Sequence, residues 1–89
     1  MKNKRTLKRA INAVCEALMA EAVAASLYGN ERHKGAANGV INSVLHVRAH
    51  YLSRVSHIEP GMPARAYFKD LCGRFTADAE ELVEQISNL

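Results

Sequence analysis

The chain has 89 residues, 12 basic and 9 acidic, for a net charge of +3, and 48% of it is apolar. That length corresponds to a single small domain, at about 100–200 residues per domain, which excludes a cleft between two domains. The apolar fraction is that of a globular protein, and no apolar run reaches the roughly 18 residues of a membrane span.

Two clusters punctuate the chain. Gly29-Asn30 opens a loop running to about Lys34 or Gly35, and Pro60-Gly61-Met62-Pro63 forms a second. Three helices are expected between them, over about 4–28, 36–57 and 63–88. In the first, Leu7, Ile11, Val14, Leu18, Ala22 and Ala25 recur at steps of three and four, the period of an amphipathic helix. Cys15 and Met19 widen this stripe, and Ala10, Ala13, Ala17, Ala20 and Ala24 add a second one of small residues. A helix apolar over so much of its circumference is expected to contact more than two neighbours. Gly29 is its expected C-cap.

The second helix has Val40, Ile41, Val44, Leu45, Tyr51, Leu52 and Val55 as its core face. Asn42, His46, His50, Ser53 and His57 lie opposite. Pro63 suits the first position of the third helix, where a missing N–H costs nothing. Phe68, Leu71, Phe75, Ala79, Leu82, Ile86 and Leu89 continue the pattern, and Gly73 inside it marks a kink or a close helix approach. Short connections make neighbouring helices antiparallel. The fold class is therefore all-α: one domain over 1–89, an up-down-up three-helix bundle that oligomerises through its first helix.

Cys15 and Cys72 show no Cys-x-x-Cys spacing and fall in apolar stretches, so reduced, buried thiols in a cytoplasmic setting are expected. The basic start resembles the opening of a signal peptide, but Glu16 and Glu21 interrupt its apolar core, and export is not expected.

Two stretches bear a resemblance. Cys15-Glu16-Ala17-Leu18-Met19-Ala20-Glu21-Ala22-Val23-Ala24-Ala25-Ser26-Leu27-Tyr28-Gly29 is one. The other is Arg54-Val55-Ser56-His57-Ile58-Glu59-Pro60-Gly61-Met62-Pro63-Ala64 with Tyr67-Phe68-Lys69-Asp70-Leu71. Through these the chain resembles a small all-helical family of Bacteroidetes bacteria with no assigned activity. The resemblance implies a helical fold and a bacterial, cytoplasmic setting, and it transfers no functional residue.

Few residues suggest chemistry. His46 and His50, four apart, share a helix face and could clamp a metal, but Val47 stands where a metalloprotease helix has Glu. His57 is too far along to close the same site, so no metal is expected there. Arg48 projects among Val44, Tyr51 and Val55, and a buried guanidinium needs a carboxylate. An ion pair with Glu16 or Glu21 is the expectation. Lys2, Lys4, Arg5, Lys8 and Arg9 could hold phosphates, whereas Asp78, Glu80, Glu81 and Glu84 crowd the other end. No recognition helix follows the basic start and few aromatics could stack on bases, so nucleic acid is not the expected partner. No nucleophile elbow, phosphate loop or carboxylate pair points to catalysis, and no cofactor is implied. The expected function is protein interaction, as a homodimer or a subunit bound to another protein. The alternative is weak binding of nucleic acid or an anionic ligand through the basic arm and Arg48.

Overall fold

Asn3 starts the fold. Its side-chain oxygen accepts the Thr6 amide at 2.8 Å, which caps a helix N-terminus. The computed structural model describes residues 3–28 and 31–89. They form three helices, α1 Lys4–Ser26, α2 Glu31–Ser56 and α3 Ala64–Ser87, and no strand occurs among the described residues.

α2 begins five residues earlier than the glycines suggest, at Glu31 rather than Ala36. Packing against α1 outweighs the poor propensity of Gly35. Ala37 is fully buried, and His33 Nε2 donates to the Ala25 carbonyl at 2.8 Å. α1 ends at a C-cap on Leu27, in right-handed helical geometry, with its N–H on Ala24 and Ala25. The Gly29 C-cap and the Gly29-Asn30 turn expected from the sequence lie outside the described residues, as does Lys2. Pro63 caps α3 and Ala64 is its first residue, one position from the expectation. Gly61 makes the turn before it, at φ +84°, where a side chain would be strained.

α1 and α2 run antiparallel. Asn12 meets Arg48 toward one end, and Ala25 meets His33 toward the other. α3 returns antiparallel to α2: Tyr67 lies against the C-terminal turn of α2, and Asp78 against Tyr51. The topology is up-down-up, in a body of 49 × 19 × 17 Å. The starts of α1 and α3 and the end of α2 therefore share one end of the bundle.

Ile11, Cys15, Leu18 and Ala22 of α1 meet Val40, Val44, Tyr51 and Val55 of α2 and Tyr67, Phe68, Leu71 and Leu82 of α3. Two expected core residues are not core. Val14 is 39% exposed and Leu45 46%. At about 100° per residue both sit at the edges of their stripes, beyond the reach of the facing helices. α3 passes Gly73 without interruption, and a methyl group built there would meet nothing within 4 Å. Neither a kink nor a close approach explains that glycine.

Candidate functional site

Arg48 marks the seam between α1 and α2. A groove of 230 Å³ opens there, lined by Cys15, Glu16, Met19, Ala20, Val44 and Arg48. The expected ion pair is not formed. Arg48 Nε donates to Asn12 Oδ1 at 2.8 Å, and the ion pairs among the described residues are Arg54–Asp70 and Arg74–Asp70. The reason is exposure: the stem follows the seam and the guanidinium emerges into water, where no carboxylate is required. Glu16 shares the groove with Arg48, and Glu21 is exposed beyond it. Cys15 lies at the groove floor. Burial pushes its thiol above the usual range and the Arg48 charge offsets only part of this, so the thiolate is not favoured. Cys15 and Cys72 are both free, Cys15 buried and Cys72 half-buried.

A polar cluster holds α2 to α3. The Tyr67 hydroxyl lies 2.8 Å from the Arg54 carbonyl and 2.9 Å from that of His57, two acceptors freed where α2 ends. The Arg54 guanidinium sits 5.1 Å from the centre of the Tyr67 ring and reaches Asp70 at 3.5 Å. Asp70 also accepts from Arg74, one helical turn on. Higher up, Tyr51 donates to Asp78 at 2.5 Å and meets Phe75 edge-on. Burial, then the Asp78 carboxylate, push the Tyr51 hydroxyl up to about 12. Sequence reasoning missed this cluster. The Asp70 and Arg74 spacing was its one local signal; the remaining partners meet only when α3 folds back. Its groups satisfy one another, so its role is to fix how α3 docks.

His46 and His50 are exposed on the outer face of α2, and His57 is exposed just past its end. His57 Nδ1 bonds to the Ser53 carbonyl, and His50 meets Tyr51 edge-on. Among the described residues no three His, Cys, Asp or Glu side chains gather as a metal would require. Lys4, Arg5 and Arg9 are exposed and Lys8 is half-buried, all at the end shared with the start of α3.

The remaining feature is the outward side of α1. Ala10, Ala13, Ala17, Ala20 and Ala24 are all exposed, flanked by Val14 and by Val23 at 42%. No described helix is long and apolar enough to cross a membrane. Searches of protein-family models, curated proteins and solved structures return no match to this chain.

Proposed function

We propose that this chain is a small cytoplasmic interaction module that works as a homodimer, with the alanine face of α1 as its contact. The observation that carries the reading is that face: five exposed alanines on one side of a helix whose other side already fills the core, with half-exposed Val14 and Val23 at its two edges. Alanine side chains let two helices approach closely at little entropic cost.

The charges of α1 favour a second copy in antiparallel order. Lys4, Arg5, Lys8 and Arg9 occupy its first third, and Glu16 and Glu21 its second half. Antiparallel pairing carries the basic turns to the partner's other end, where Glu80, Glu81 and Glu84 of its α3 lie, and parallel pairing brings like charges together. Size sets the strength. A face about 22 Å long and ~10 Å wide buries roughly 450 Å² over both partners, well below the ~1,200–2,000 Å² of stable complexes. A dissociable dimer is the expectation. The resemblance to a Bacteroidetes helical family is consistent with a bacterial setting and adds no activity.

Size-exclusion chromatography with light scattering tests the reading. At roughly 100 µM the mass should be that of a dimer, drifting toward monomer on dilution and at high salt. Ala17→Arg should give a monomer with unchanged helical circular dichroism. A monomeric wild-type protein at that concentration refutes the reading.

A further inference from the structure

The sequence distributes its basic residues over three helices, and the topology collects six of the twelve again. Because α1 and α3 run parallel, Lys4, Arg5, Lys8 and Arg9 share one end of the bundle with Arg65 and Lys69 of α3. None of these six has an ion-pair partner among the described residues. Arg54 and Arg74 of the same half share the one carboxylate of Asp70, which leaves Glu59 as the other acid nearby. Neither α1 nor α3 has an acidic residue in its first turn. Cations there oppose the helix dipole, so the arrangement works against the stability of the isolated fold.

We infer that this cationic end binds the phosphate backbone of duplex nucleic acid without reading sequence. The partner follows from what the end lacks. The exposed large hydrophobics (Val14, Val23, Leu27, Tyr28, Leu45 and Val83) all lie farther along the bundle. A lipid surface needs apolar side chains to insert beside the charges, and a protein partner needs a desolvated anchor. Single strands need exposed aromatics for stacking, whereas Tyr67 and Phe68 are buried in the core. Charge alone remains, on the starts of two parallel helices. Arg65 and Lys69 form one wall of it, around a shallow groove of 670 Å³ with Phe68 and Cys72 in its lining. Such contacts act by counterion release.

The probe is a labelled mixed-sequence DNA duplex of about 20 base pairs, followed by fluorescence anisotropy over a salt series with the full chain. Binding in the range of roughly 1–100 µM at low salt is expected, with affinity falling as salt rises. Lys4→Gln with Arg5→Gln should weaken binding about 60-fold at ~0.1 M salt and flatten the salt slope by ~1.8, at about 0.9 per phosphate. Arg65→Gln with Lys69→Gln should do the same. Arg32→Gln with Lys34→Gln, at the opposite end, should change nothing. These exposed substitutions leave the core and the alanine face intact, and each variant is compared with the wild type at a concentration where light scattering gives both the same mass, so that a change in dimerisation does not enter. The inference is overturned by absence of binding at low salt, by loss with the α1 pair but not the α3 pair, by equal loss with the control pair, or by tighter binding to phosphatidylserine vesicles than to the duplex.

Discussion

Replacing Gly73 by alanine should make the protein more stable. Gly73 lies in the middle of α3, exposed, with nothing within 4 Å of where a Cβ would stand. Its backbone is helical, and among the described residues the positive-φ glycine is Gly61. Under those conditions the exchange gains about 1 kcal/mol, chiefly by removing conformational freedom from the unfolded chain. In a domain of this size that raises Tm by about 4–8 °C. Gly35 and Gly39 of α2 also have no neighbour within 4 Å, and Gly73 is remote from both in the chain. The triple variant should therefore gain roughly 2–3 kcal/mol. Thermal and urea unfolding followed by circular dichroism measures this, with an unchanged urea slope as the check that only stability moved. A fall in Tm for Gly73→Ala would refute the open surface and show that another helix approaches α3 there in solution. A fall for Gly39→Ala alone would say the same of the outer face of α2.

Two further outcomes test the side-chain contacts. Tyr51 is held protonated by burial and by Asp78, up to about 12 against an ordinary 10.0. A folded-state pKa raised in this way gives stability that is complete below pH 10 and is lost as pH rises through about 12. About 2–3 kcal/mol should disappear over that window. Tyr51→Phe should flatten it; equal loss in the variant would refute the linkage. The buried Cys15 thiol adds a loss of the same sign above its ordinary 9.0, present in both proteins and cancelled in their difference. Arg48→Met removes one hydrogen bond, to Asn12, from an exposed side chain. Stability should change by no more than about 0.5 kcal/mol with assembly mass unaltered, and a loss of several kcal/mol or a new mass would reinstate Arg48 as a structural anchor.

Periodicity was enough to find the three helices and their order, because each has a core stripe at steps of three and four. It misplaced what depends on neighbours. Gly35 reads as a loop residue until Ala37 is seen buried and His33 bound to α1. Val14 and Leu45 read as core because periodicity cannot tell how far a facing helix reaches. Arg48 illustrates the same limit for charge. Its position on the helical wheel is near the core, yet its length lets the guanidinium leave, and Asn12 rather than Glu16 or Glu21 receives it. The Tyr67, Arg54 and Asp70 cluster brings together residues up to 16 apart in the chain, so no local pattern could reveal it.

The two proposed surfaces lie on different parts of α1, and each constrains the other. The alanine face is centred on Ala17, and the cationic turns are centred between Arg5 and Lys8. An antiparallel pair with its two-fold axis at Ala17 sets the two cationic ends about 30 Å apart along the helix axes, from 1.5 Å per residue. That is close to the ~34–36 Å of one duplex turn. Both ends could then meet the same side of one duplex, and the second contact would be made at high effective concentration. A parallel pair would instead put both cationic ends together and add their repulsion to the unfavourable dipoles. The charge order along α1 thus favours the one pairing in which weak dimerisation and weak phosphate binding reinforce each other. A single end of this charge is expected to bind nucleic acid only weakly at physiological salt, so duplex affinity should rise with protein concentration through the range where the proposed dimer forms, and an affinity independent of that range would refute the coupling.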